Sequence, residues 1–459
     1  MMTHLRRAAL VTLAVASVGA VFLPRAAVAG ATPIKHVIII VQENRTPDNL
    51  FHDIKKYLPD ADIADSGLDS KGDTIRLKPI ALADPFDLDH YHTAFVAQYD
   101  NGKMDGADLV PCYPYYGACP PFASYHYVRE GEVEPYYRIA RNYGFANRMF
   151  QSQQGPSFPS HQFVFGATSQ PEADSPLFAA DNVSRGNGIT GCIGPPQARV
   201  MMIDPTGNEN TLMFPCFDHS TLADLLDAPP HDPTHPITWR YYSNAAGSIW
   251  NAPNAIDHLC QAAQDPPVCT GTHWTNGDIV TWPPQVLVDI HKNTLHAVNW
   301  VIPTAQDSDH PFLNTGTGPA WVASIVNAVG NSPYWKDTAI FITWDEWGGW
   351  YDHVTPPLDP TYGYFQYGFR VPLLVVSAYT RPGYVSNVTH NFASIVRFVE
   401  TVFDLGLIPP GNFADSRSDD LSDFFDFKKP PRAFVPIATN VPESRFLDKT
   451  RPMVAPDDD

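Results

Sequence analysis

Two stretches of the chain share one pattern. Val37-Ile38-Ile39-Ile40-Val41 is a short, unbroken apolar run that gives way to Gln42-Glu43-Asn44-Arg45-Thr46. Ala339-Ile340-Phe341-Ile342-Thr343-Trp344 gives way to Asp345-Glu346-Trp347-Gly348-Gly349 and then Asp352-His353-Val354. A short continuous apolar run predicts a strand buried on both faces, as in a parallel sheet. Carboxylates directly after such a strand need a reason, because an ionised carboxylate in apolar surroundings is costly unless paired or bound to metal. In open α/β sheets ligands bind beyond the carboxyl ends of the strands. If these strands are parallel neighbours, Glu43, Asn44, Asp345 and Glu346 meet on one rim and offer oxygen ligands to one hard divalent cation.

The same reading predicts strands over 237–242, 297–302 and 371–376, and helices over 135–145, 320–329 and 392–405. Thr221 with Asp224 has the spacing of a capping box, opening a helix through Leu226. Strands alternating with helices point to an α/β fold of βαβ units. We expect one domain over 30–459 with long loop excursions, in which 180–290 forms a cap and the Pro- and Asp-rich segment 407–459 wraps the body. Ser157 follows a Gly-Pro turn at a helix start, where backbone N–H groups and the dipole favour an anion. A serine there commonly serves as an N-cap, and it also suits a nucleophile. His90 and His310 each lie in a polar cluster, the latter following the strand over 297–302.

Composition narrows the classes. The chain has 459 residues, 44% of them hydrophobic and 12% aromatic, enough for a full core. Its formal net charge of −19 argues against a general nucleic-acid binder and against electrostatic attachment to anionic lipid. Residues 1–29 read as an export signal: Arg6-Arg7, an apolar run from Ala8 to Leu23, and Ala27-Val28-Ala29 as the cleavage site. No later segment is long and apolar enough to span a bilayer, so a secreted or periplasmic protein is expected. In that setting six cysteines read as disulfides. Pairing nearest neighbours gives Cys112–Cys119, Cys192–Cys216 and Cys260–Cys269.

Taken together the motifs resemble the bacterial phosphoesterase family of secreted acid phosphatases and type C phospholipases. The resemblance rests on Glu43-Asn44-Arg45-Thr46, Asp89-His90, Met104-Asp105-Gly106, Gly155-Pro156-Ser157-Phe158-Pro159, Ser308-Asp309-His310-Pro311, Asp345-Glu346-Trp347-Gly348-Gly349 and Gly368-Phe369-Arg370-Val371-Pro372. It implies an alkaline-phosphatase-like, mostly parallel sheet with helices on both faces. It also implies one divalent metal ion held by Glu43, Asn44, Asp345, Glu346 and Ser157, with Ser157 as nucleophile and His90, His310 and His258 as active-site histidines. Where many of the phospholipases have Asn-Arg after the proline, this chain has Ser160-His161. The expected activity is hydrolysis of a small phosphate ester or a phospholipid through a phosphoserine. The acid-phosphatase branch is placed first because further β-domains of the larger phospholipases are missing from this sequence. Histidine proton donors predict an acidic optimum. Rival readings are a sulfatase, for which the Cys/Ser-x-Pro-x-Arg signature is missing, and a non-catalytic metal- or carbohydrate-binding protein.

Overall fold

The structure is a computed structural model that describes residues 32–115, 117–358 and 364–454. The export signal expected over 1–29 lies outside the described residues. The central sheet has eight strands, in chain order β1 (His36–Gln42), β2 (Gly144–Ala146), β3 (Trp239–Tyr242), β4 (Ile279–Val280), β5 (Val298–Val301), β6 (Thr338–Trp344), β7 (Leu373–Ser377) and β8 (Tyr384–Ser386). Their spatial order is β4-β3-β5-β1-β6-β7-β2-β8. The five strands from β4 to β6 are mutually parallel. β7 runs antiparallel to both β6 and β2, and β8 is parallel to β2. The two strands first singled out are the central pair. They are in register from His36 opposite Thr338 to Gln42 opposite Trp344, so their acidic ends emerge side by side.

The helices that matter here are α1 (His92–Tyr99), α2 (Glu134–Asn142), α3 (Ser157–Gly166), α4 (Leu222–Asp227), α5 (Gly318–Gly330) and α6 (Phe392–Phe403). Two aromatic contacts show that they cover both faces of the sheet. Phe341 of β6 packs edge-on against Phe398 of α6 at 4.8 Å, and Trp344 meets Tyr136 of α2 at 5.0 Å. Residues three apart in a strand point to opposite faces. On the first face, Phe165 of α3 packs against Trp300 of β5. Glu43 and Asp345 share the parity that points toward this side, and that brings them to the start of α3.

The capping box of α4 forms as expected. The predicted helix over 135–145 stops at Asn142. Tyr143 leaves helical geometry, and Gly144–Ala146 becomes β2. A three-residue strand carries no periodic signal of its own, which is why β2 and β8 escaped the sequence pattern. The 180–290 segment supplies β3 and β4 to the main sheet. A small antiparallel sheet of Phe178–Ala179, Val200–Ile203 and Thr211–Met213 lies outside it. The three nearest-neighbour disulfides are all present. Near the C-terminus Phe434 packs on Trp335 and Phe446 on Trp321, and the Asn327 side chain donates to the Ile437 carbonyl.

Candidate active site

The ends of β1 and β6 are joined by a carboxylate. Asp345 Oδ1 accepts from the backbone N–H of Asn44 at 3.0 Å and from that of Glu346 at 2.8 Å. Asn44 has φ 61, a left-handed conformation that asparagine tolerates better than most residues. It lies against Gly348, where an added Cβ would stand 2.5 Å from the Asn44 carbonyl oxygen and where φ is +64. Only glycine fits that turn. Glu346 is fixed by the Gly348 N–H, which donates to its Oε2 at 2.7 Å.

Ser157 is the first residue of α3, with Pro156 in the cap position. Its hydroxyl points at Glu43 Oε2, 3.4 Å away. One turn along, His161 Nε2 lies 3.1 Å from Glu43 Oε1 and 4.0 Å from Asp345 Oδ2. Glu43, His161 and Asp345 are fully buried, and their ligand-type atoms lie within 4.8 Å of one another. The helix start is less open to an anion than its sequence suggests. The Phe158 N–H donates to Asn182 Oδ1 at 2.9 Å, Pro159 has no N–H, and the Ser160 N–H returns to the Pro156 carbonyl.

Two of the three expected histidines reach this rim. The rings of His90 and His310 are 6.0 Å apart, and the Trp250 ring is 6.0 Å from His310 and 6.4 Å from His161. His90 donates from Nδ1 to the Leu88 carbonyl at 2.7 Å, while its Nε2 is buried without a protein partner. Burial opposes charge on His90, but the carboxylates of Glu346 and Asp87 outweigh it and hold the imidazolium up to about 9. An acidic optimum therefore does not follow from the presence of histidine alone.

His258 is elsewhere. Its Nδ1 meets Asp218 at 2.6 Å and its Nε2 meets Asp224, the capping residue of α4, at 3.0 Å. Both nitrogens are engaged by carboxylates outside the Glu43 cluster, and the pair of bonds secures a loop to a helix start. The Asp352-His353 pair and Arg370 also serve the frame. Arg370 is buried and grips Asp352 through two bonds of 2.8 and 2.9 Å, with Asp48 at 3.4 Å. His353 Nδ1 meets Asp48 at 2.8 Å. Arg45, in the first motif, turns away from the carboxylates toward Asp84, the Leu82 and Asp309 carbonyls and the face of Trp350.

His161 stands out in the sequence only as a departure from Asn-Arg and is not expected there as a metal ligand. The signal was available: it stands four residues after Ser157, hence on the same helix face. Asn182 had no local signal, since only the tertiary fold brings it to Phe158, whereas Asp87 stands three residues before His90 in one polar stretch.

The sequence pattern of the Phosphoesterase family matches residues 34–406 of the chain. The protein belongs to the phosphoesterase family. Phospholipase C B of Mycobacterium tuberculosis (strain ATCC 25618 / H37Rv) is 24% identical over 453 residues, covering 88% of this chain and 80% of that protein. Phospholipase C A of the same strain is 28% identical over 226 residues, but these cover only 44% of this chain and 43% of that one. The hemolytic phospholipase C of Pseudomonas aeruginosa is 22% identical over 479 residues, 90% of this chain and 58% of that protein. Among solved structures, a protein in the alkaline phosphatase superfamily from Vibrio parahaemolyticus superposes with a TM-score of 0.38 at 10% identity, covering 86% of this chain and 71% of that one.

The residues present in this phosphoesterase fit a divalent cation. Asn44 Oδ1, Asp345 Oδ2 and Glu346 Oε1 are buried oxygens without hydrogen-bond partners. Burial, then the neighbouring Asp345 and Glu346, pushes the Glu43 carboxyl well above the usual range. Burial does the same to Glu346, with Asp345 adding to it and His90 opposing. Burial drives His161 down to about 4 against the pull of Asp345, so it presents a neutral imidazole. Crowded carboxylates with lone pairs to spare and a neutral nitrogen are the donor set a hard or borderline cation needs.

Proposed function

We propose that the protein hydrolyses phosphate esters with Ser157 as nucleophile, and that phospholipids cleaved as by a type C phospholipase are its first substrate class. The observation that carries the chemistry is the approach of Ser157 Oγ to Glu43 at 3.4 Å, on the rim that also holds His90 and His310. The substrate class is supported by a relative named phospholipase C B that covers 88% of this chain. This reverses the order expected from the sequence, where the acid-phosphatase branch came first.

In this reading Glu43 accepts the hydroxyl hydrogen bond of Ser157, takes its proton as Oγ attacks, and orients that oxygen toward phosphorus. Oγ forms the new P–O bond as the ester P–O bond breaks, in line. His90 Nε2, buried without a protein partner, gives its proton to the departing alcohol oxygen, and His310 flanks it. Water then attacks phosphorus as the P–Oγ bond breaks; it gives one proton back to His90, and the Ser157 proton held by Glu43 returns to Oγ. A divalent cation held by Glu43, Asn44, Asp345 and Glu346, with His161 beside them, would supply positive charge that stabilises an alkoxide and the phosphoryl oxygens. Buried Trp250 and Trp347 keep bulk water from the carboxylates. The three disulfides support an exported protein. No helix among the described residues is long and apolar enough to cross a membrane.

The test is the hydrolysis of p-nitrophenyl phosphate and p-nitrophenyl phosphorylcholine by wild type and Ser157→Ala. Preference for the diester, lost by at least ~10³-fold in the variant, supports the reading. Preference for the monoester restores the acid-phosphatase branch. Full activity of Ser157→Ala on either ester removes Ser157 as nucleophile. No turnover by wild type with added divalent metals favours a binding protein.

A further inference from the structure

The segment 109–122 is closed into a short loop by the Cys112–Cys119 disulfide. Its inner side is anchored: Val110 and both cysteines pack on the cluster of Phe95, Trp347 and Phe369. It is fastened to both histidine motifs. The Tyr113 hydroxyl donates to Asp89 Oδ2 at 3.2 Å, one residue before His90. Tyr115 stacks on Phe312, two residues after His310. Tyr113 and Tyr115 form a wall of a cavity of about 330 Å³ whose lining includes Asp87, Asp89 and His90. The loop thus walls the cavity that reaches His90.

Its outer side is apolar. Leu109 is 56% exposed, Tyr113 51% and Phe122 43%. Phe122 has φ 55, where a bulky residue is rare, and the strained backbone presents an aromatic ring to solvent. Charge narrows what would cover this face. Histidines aside, the charges between Lys78 and Arg129 that reach the surface are Asp89, Asp100, Asp105 and Asp108 against Lys103, while Asp84 and Asp87 are buried. Such a surface is repelled by anionic lipid. Exposed aromatic and aliphatic side chains without cations suit an electrically neutral lipid surface, where tyrosine and phenylalanine settle at headgroup level.

We propose that this disulfide-closed loop is the surface on which the protein rests on a zwitterionic lipid interface, setting a headgroup at the cavity beside His90. The proposal rests on the phospholipase reading of the site, but its test does not depend on turnover. Full-length Ser157→Ala is sedimented with phosphatidylcholine vesicles, alone and with Leu109→Ser and Phe122→Ser added, neither residue lining the cavity. The double change should lower partitioning by about tenfold or more, from the apolar area it withdraws. Admixed phosphatidylglycerol should weaken binding further. Leu109→Trp in the Ser157→Ala background keeps the apolar bulk, and its emission should shift to the blue on vesicles. In the active enzyme, Leu109→Ser with Phe122→Ser should keep the rate on soluble p-nitrophenyl esters and lose turnover of vesicles. No sedimentation of Ser157→Ala, sedimentation unchanged by the double change, or no shift for Leu109→Trp overturns the proposal. Self-association without lipid that the same changes abolish would make the face a protein contact and overturn it too. Vesicle binding that behaves as described, in a protein that hydrolyses no ester, would leave the loop assignment standing and remove the catalytic reading.

Discussion

The N–H of Asn44 donates to Asp345 Oδ1 at 3.0 Å, so one carboxylate both ties the ends of the two central strands and faces Glu43 with its other oxygen. That second oxygen has no hydrogen-bond partner. Asp345→Asn would keep an acceptor for Asn44 and remove charge from the cluster. The expected result is a fall in divalent-metal affinity of at least the roughly 10–100-fold that follows loss of an outer partner, with activity falling alongside. His161→Ala should act in the same direction. Calorimetric titration with Ca²⁺, Mn²⁺ and Zn²⁺ reads both. Unchanged affinity in both variants would place the metal elsewhere.

His258 separates a structural role from a catalytic one. The hydrogen bond to Asp224, then that to Asp218, raises it to about 9 against partial burial. A histidine raised in the folded state contributes stability that is fully present below its unfolded value of 6.5 and is lost as pH rises through about 9. His258→Gln should therefore lower the melting temperature at neutral pH and below, with the deficit closing above pH 9, and leave kcat within about twofold. A loss of kcat of about 10²-fold or more with little change in melting would return His258 to the active site.

The central pair of strands, the carboxylates at their ends and the serine at a helix start were legible because each leaves a dense local pattern. An apolar run ending in acid residues is visible within ten positions. The antiparallel β7, the short β2 and β8, and the helix end at Asn142 were not, since pairing direction and three-residue strands are set by contacts distant in sequence. His258 and Asp352-His353 show the opposite failure. Histidines and carboxylates in ordered motifs suggested chemistry, yet only the fold shows that their charges are spent on Asp224 and on Arg370. Asn182 became meaningful only when the fold set its side chain at the Phe158 N–H.

Arg370 belongs to the frame beneath the site, and its removal should show as instability rather than as altered chemistry. It is 0% exposed and supplies the positive charge for Asp352 and Asp48, both also buried. Arg370→Met leaves two buried carboxylates facing His353 alone. Breaking one side of a buried pair costs about 3–5 kcal/mol. Urea unfolding should show a loss of that order, with metal affinity per folded molecule unchanged. A stable variant with impaired metal binding would mean that Arg370 acts on the site directly.

Glu400 gives the clearest test of a buried charge remote from the active site. It lies on α6, and both it and Asp415 accept from the Ile408 N–H, at 3.2 and 3.0 Å. Arg397 donates to its other oxygen at 3.0 Å. Burial first, and Asp415 second, raise the Glu400 carboxyl from 4.5 to about 8, so near neutrality the pair is held together by a shared proton. A carboxyl raised in the folded state binds its proton more tightly there than in the unfolded chain. Its contribution to stability is therefore full below 4.5 and is lost as pH rises through about 8. Glu400→Gln keeps the acceptor for Ile408, gives up the bond from Arg397 and no longer titrates. Measured by urea unfolding between about pH 5 and 9, the stability difference should move steadily in the variant's favour as pH rises. Two curves that stay parallel across this range would show that Glu400 is ionised throughout and that Arg397 alone holds it.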